Sequence, residues 1–230
     1  MKALRLGLLF ILVAGCSATD KGVSPNNPGS PEGGSTNGGG NGNGNGNGNS
    51  AGSSVVTDGY VSTGPWQGYG FTATDPGAAT ITPNCSASCT PPFTGSTFCM
   101  QGTVTGRADY SGFAMLGWNV NQAMGAGTAM ATWPVPASGG VTVTVSNPGA
   151  TALRVQLQGT NPHDGNDRWC ATLQSGQSIP WGSFKTNCWE GGMPQNPLTP
   201  GTMIQQAAII VPGLLTDLPF DLCLLDIQIQ

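Results

Sequence analysis

Residues 140–146 read Gly-Val-Thr-Val-Thr-Val-Ser, residues 147–149 Asn-Pro-Gly, and residues 152–158 Ala-Leu-Arg-Val-Gln-Leu-Gln. The apolar period is two on both sides of the break. Val141, Val143 and Val145 oppose Thr142, Thr144 and Ser146; further on, Leu153, Val155 and Leu157 oppose Arg154, Gln156 and Gln158. Such alternation belongs to strands that bury one face. Pro148 and Gly149 occupy the second and third positions of a type II turn. The stretch is therefore expected to form a β-hairpin.

Similar strand-sized runs occur at 55–61, 69–74, 98–106, 112–122, 168–173, 203–211 and 220–230. They are short, punctuated by Gly and Pro, and accompanied by no convincing amphipathic helix. The expected class is all-β, a β-sandwich or jelly roll. Ala207-Ala208 would suit a helical turn, but Pro200, Gly201, Pro212 and Gly213 bracket a segment of strand length. In 112–122, parity groups Ala114, Leu116, Trp118 and Val120 against Phe113, Met115, Asn119 and Asn121. In the last strand it groups Cys223, Leu225, Ile227 and Ile229 against Leu222, Leu224, Asp226 and Gln228.

The chain begins differently. Lys2 and Arg5 precede an apolar run at 6–13, then Ala14-Gly15 and Cys16. This order predicts a lipoprotein signal peptide over 1–15 and lipidation of Cys16 by palmitate-type chains. The run falls short of the roughly 20 apolar residues of a membrane span. Ser17, in place of Asp, directs such a protein to the outer membrane of a Gram-negative cell. Residues 16–54 are rich in Gly, Asn, Ser and Pro and are expected to be a flexible tether. The run from Lys21 to Ser54, roughly 33 residues of Gly-rich coil, spans about 30 Å. The β-sandwich domain would occupy 55–230.

Within that domain nine acids face only four bases, Arg107, Arg154, Arg168 and Lys185. This argues against nucleic acid and against anionic lipid, leaving the membrane to be reached through the lipid anchor alone. Of the seven cysteines, six remain after Cys16. An exported domain favours three disulfides over free thiols, and one His without paired CxxC motifs speaks against zinc. Cys170 and Cys188 flank a strand–turn–strand, Cys85 and Cys89 form a local pair, and Cys99 and Cys223 remain. Parity opposes that last pair, since Cys223 reads as core-facing and Cys99 does not.

Several stretches carry a family likeness: residues 70–75 (Gly-Phe-Thr-Ala-Thr-Asp), 99–104 (Cys-Met-Gln-Gly-Thr-Val), 116–122 (Leu-Gly-Trp-Asn-Val-Asn-Gln), 168–170, 179–181, 184–189 and 219–227. On these the chain resembles the galactose-binding-like β-jelly-roll carbohydrate-binding modules, of which family 11 is one group, as found in lipoproteins of myxobacterial type. The resemblance implies a jelly roll and sugar binding. Such modules commonly end in an Asp-Asp-Ile-like strand; Leu225 replaces the first acid here.

Sugar binding needs aromatic rings against pyranose C–H faces and planar polar groups against hydroxyl pairs. Trp66 and Tyr69, flanked by Gly, and Trp169, beside a polar loop, are the expected rings. Trp133 and Trp189 lie near loop signals. Trp118 reads as core and Trp181 as packing. Arg154, Gln156, Asn119 and Asn121 are expected on polar strand faces. Calcium is the metal that oxygen ligands would favour. Asp58, Asp221 and Asp226 would hold it if the first and last strands are neighbours; Asp164, Asn166 and Asp167 are a local alternative. His163 reads as an exposed loop residue. The expected function is a surface-anchored, non-catalytic module for neutral polysaccharide. A structural or adhesive domain with a protein partner is the alternative. A small glycoside hydrolase or lyase with Glu190 as acid is the third.

Overall fold

The computed structural model describes residues 52–83, 93–125, 128–149, 151–161, 164–189 and 193–230. Cys16 with its signal peptide, Cys85, Cys89, His163 and Glu190 lie outside these residues.

The strands in chain order are β1 (Val56–Thr57), β2 (Tyr60–Thr63), β3 (Trp66–Thr74), β4 (Ala79–Thr82), β5 (Cys99–Val104), β6 (Phe113–Asn119) and β7 (Trp133–Pro134). There follow β8 (Gly140–Ser146), β9 (Leu153–Gln158), β10 (Arg168–Leu173), β11 (Ser178–Pro180), β12 (Met203–Ile204), β13 (Gln206–Pro212) and β14 (Leu218–Ile229). Seven strands form one sheet in the order β1-β2-β3-β6-β13-β9-β10. Five form a second in the order β11-β8-β14-β5-β4, and β12 pairs with β7. All pairings are antiparallel. The protein is an all-β sandwich, as the period-two reading implies.

The connection that decides the class is not a hairpin. β8 sits in the five-stranded sheet between β11 and β14, whereas β9 sits in the seven-stranded sheet between β13 and β10. Each strand has one apolar face, and both faces reach the same core from opposite sides. Val141, Val143, Val155 and Leu157 are each fully buried there. The chain therefore crosses from sheet to sheet, a gap of about 10 Å in a sandwich. Asn147 fastens the crossing, its Nδ2 donating to the Thr151 carbonyl at 2.6 Å.

The segment 203–211 is strand, split between β12 and β13, and holds no helical turn. In β13 the alternate residues Ala207, Ile209 and Val211 join the core cluster, while Ala208 and Ile210 stand outside it. The inner ends of the sheets meet in an aromatic group. Trp66 lies 6.2 Å from Trp118, 5.8 Å from Trp133 and 6.1 Å from Trp181 between ring centroids. Phe98, from just before β5, approaches Gly70 so closely that any side chain there would collide with its ring.

β14 departs from simple alternation. Its register against β8 shifts between Leu224 and Asp226, a bulge at Leu225. Leu222 and Leu224 are fully buried before the bulge, and Ile227 is buried after it. The expectation that Cys223 shares a face with Ile227 is thus overturned by one extra residue. Cys223 lies across from Cys99 on β5, and the two are bonded. Cys170 and Cys188 form the second disulfide, as expected from spacing.

Candidate functional site

The outer face of the seven-stranded sheet is built from three transverse rows of directly paired residues. The first is Asn119, Gln206, Gln158 and Arg168. The second is Phe71, Gly117, Ala208, Gln156 and Cys170. The third is Ala73, Met115, Ile210, Arg154 and Thr172. Along β9, parity makes a polar column of Arg154, Gln156 and Gln158. Along β6 and β13 the floor is apolar and low: the Phe71 ring lies over Gly117, where a Cβ would collide with it. Four strand spacings separate β3 from β10, roughly 19 Å.

Three of the expected sugar contacts come together here. Arg154, Gln156 and Asn119 share this face. Arg154 and Gln156 are half-buried, and neither side chain hydrogen-bonds to or pairs with any described residue. Burial pushes the Arg154 guanidinium below its usual pKa, because the charged form loses water. Arg168 is shifted the same way by burial, an effect that Asp75 opposes. Asp75 follows β3 at the diagonally opposite corner, and a right-handed twist lifts diagonal corners of a sheet to the same side. Burial raises the Asp75 carboxyl, while Arg107 and then Arg168 hold it back.

Asn119 is engaged elsewhere. Its Nδ2 donates to Gln122 Oε1 at 2.8 Å, and its Oδ1 accepts from Gln206 Nε2 at 3.0 Å. Gln122 Nε2 donates in turn to the Thr128 carbonyl at 2.9 Å. At the other end of the row, Arg168 Nε donates to Gln158 Oε1 at 3.0 Å. Asn121 is not on a strand face at all. β6 ends at Asn119, and Asn121 takes a left-handed backbone, φ 57°, with Nδ2 donating to the Thr132 carbonyl at 2.7 Å. It is a turn residue, a role its short amide suits.

The aromatic expectations divide. Trp66 is fully buried and Trp169 nearly so, both within the core, so neither offers a ring to a ligand in solvent. Flanking Gly gives Trp66 no exposure, because its parity turns it inward against Trp118. Trp118 and Trp181 are core, as read. Tyr69 is exposed and stacks edge-on against Tyr60 at 5.1 Å; its hydroxyl accepts from Gly125 N at 3.0 Å. Trp189 is equally exposed and lies 5.7 Å below the Arg168 guanidinium. The two exposed rings thus stand towards opposite sides of the sheet. Gln206 and Gln158 are site residues that sequence reasoning did not single out; the alternation of Gln206, Ala208 and Ile210 in 206–210 was the available signal.

The proposed calcium ligands do not assemble. Among the described residues no three of His, Cys, Asp or Glu form a metal-binding group. The N-terminal segment does reach β14, through Ser53 Oγ and Ser54 N to the Leu225 carbonyl. Asp226 there accepts from Ser54 Oγ at 2.8 Å and Gln228 Nε2 at 2.9 Å. Asp58, however, sits in the β1–β2 turn and accepts from Gly95 N at 2.6 Å, while Asp221 is exposed opposite Gln101. In the local alternative, Asp164 caps a 3-10 turn at Asn166 N, and Asp167 accepts from Asn161 N at 2.6 Å. These carboxylates hold backbone.

No helix of the described residues is long and apolar enough to cross a membrane. In comparisons with known proteins, no protein-family model and no curated protein sequence matches the chain.

Proposed function

We propose that this chain is an exported, lipid-anchored protein whose sandwich binds polysaccharide without cleaving it. The observation that carries the reading is the β9 column. Arg154 and Gln156 present unpaired planar groups, half-buried on the outer sheet face, beside the close-packed apolar strip of Phe71, Gly117, Ala208 and Ile210. Planar donors of this kind match the hydroxyl pairs of a pyranose ring. Tyr69 and Trp189, exposed towards the two sides, add rings along the path of a chain. The resemblance of 70–75 and 116–122 to carbohydrate-binding modules bears on the strands that form this strip. Export rests on the order of residues 2–16 and fits a protein with two disulfides.

Affinity electrophoresis through gels loaded with single polysaccharides tests the binding. At least one gel should retard the wild type, and Gln156→Ala should migrate faster there. Wild type retarded by none of a broad panel overturns the reading. Labelling with a lipid precursor should mark the wild type and leave Cys16→Ser unmarked.

A second reading is an adhesive domain for a protein partner. It is favoured by Tyr110, Leu214 and Leu215, exposed by 57 %, 41 % and 57 % on two loops joined by the Arg107 N to Leu214 carbonyl bond.

A further inference from the structure

The charges of the domain are unevenly placed. Two of its four cations, Arg154 and Arg168, stand on the outer face of the seven-stranded sheet, and no carboxylate occupies the three rows. Arg168 has Asp75 as a distant counter-charge and Gln158 and Trp189 as neighbours. Arg154 has no such company. Its row partners are Ile210 on β13 and Thr172 on β10, with Met115 one strand further. Among the described residues it forms no hydrogen bond and no ion pair. The fork of a half-buried guanidinium with no partner in the fold has its donors left for water or for the acceptors of a ligand, and partial burial strengthens its pull on an anion. Among the described residues, no carboxylate is placed against Arg154.

We propose that the polysaccharide unit seated on this face carries a carboxylate, which the guanidinium fork of Arg154 holds. A planar fork matches a carboxylate in two parallel bonds, a geometry that a lone hydroxyl cannot fill. Gln156, one pleat along β9 on the same face, is placed for a neighbouring hydroxyl. This refines the expectation of neutral chains, because two of the few cations of the domain share this face. The inference rests on the polysaccharide reading above and names its substrate class: a uronate-containing chain.

Carboxyl reduction separates the two ideas. Gels would be loaded with polygalacturonate, alginate or hyaluronate, and with the carboxyl-reduced form of each, beside neutral glucan, xylan and galactan. The full domain should be retarded by at least one polyuronate and about tenfold less by its reduced form. Arg154→Gln should lose that difference, and Arg154→Lys should recover part of it. Retardation on the polyuronate should weaken with added salt. Thermal melts of the variants show that they remain folded. Equal retardation by acidic and reduced chains, or an unchanged Arg154→Gln, overturns the carboxylate while leaving glycan binding intact. Retention by neutral polysaccharide alone does the same. Retardation by no polysaccharide overturns both.

Discussion

Cys223 faces Cys99 across two neighbouring antiparallel strands, their Cα atoms 4.0 Å apart, and the bond between them closes a loop of 124 residues. The second bond, Cys170–Cys188, closes one of 18. Loop-closure entropy gives the longer loop the larger effect, about 5 kcal/mol against about 3 kcal/mol. Replacing Cys99 and Cys223 together by Ala should therefore lower unfolding stability more than replacing Cys170 and Cys188. Denaturant titrations of the two double variants measure this. Peptide mapping without reduction should recover both pairs; a Cys223 peptide joined to any other cysteine contradicts the structure.

The rings buried and exposed should separate in mutation. Trp66→Ala opens a hole among Trp118, Trp133 and Trp181, and loss of such a core ring costs about 3–5 kcal/mol. Trp189→Ala and Tyr69→Ala should leave the melting temperature nearly unchanged. If the outer face binds polysaccharide, each should weaken retention about fivefold, the loss of about 1 kcal/mol at a binding ring. Melts and affinity gels on the three variants decide; a stable Trp66→Ala domain with lost binding would restore the ring to a ligand role.

Asn119 and Asn121 should also part company. Asn119→Ala removes the acceptor of Gln206 Nε2 and one of the two donors to Gln122 Oε1, and should destabilise by about 1–3 kcal/mol. Asn121→Gly keeps the left-handed backbone and should be nearly neutral, while Asn121→Val forces a branched residue into it at about 1–2 kcal/mol. Equal effects of Gly and Val at 121 would refute the turn role.

Acid should loosen the N-terminal attachment. Hydrogen bonds from Ser54, then Gln228, hold the Asp226 carboxyl below its usual pKa of 3.8. The folded state therefore binds this proton less readily than the unfolded state. The stabilisation is present above the unfolded pKa and is lost as pH falls through the folded one. Asp75 acts in the opposite sense, since burial raises its pKa and protonation relieves it. Asp226→Asn should thus flatten the fall in melting temperature below about pH 4. An Asp226→Asn acid profile parallel to wild type argues against the effect.

Period-two alternation made the strands legible, down to the inward Trp118 and the outward Arg154 and Gln156. It could not say which strands pair. β8 and β9 show the same pattern whether they lie side by side or face each other across the core. Parity also assumes an unbroken pleat, so the single bulge at Leu225 reversed the reading of Cys223. Trp66 misled because glycines on either side suggest an open loop, whereas here they admit close packing such as that of Phe98 on Gly70. The carboxylates of Asp58, Asp164 and Asp167 looked like ligands by composition; only the fold shows each bound to a backbone N–H.

The attachment of Ser53 and Ser54 to the Leu225 carbonyl has a mechanical side. A pull on the chain preceding the sandwich is delivered first to these bonds on β14, two residues from Cys223, and to the bond from Ser53 N to the Ser96 carbonyl. Beyond that point the strand is welded to β5, and β5 is hydrogen-bonded to β4. Once the serines let go, tension passes into β1 and β2 at the rim of the other sheet, so the outer face would shed its margin while the welded strands stay paired.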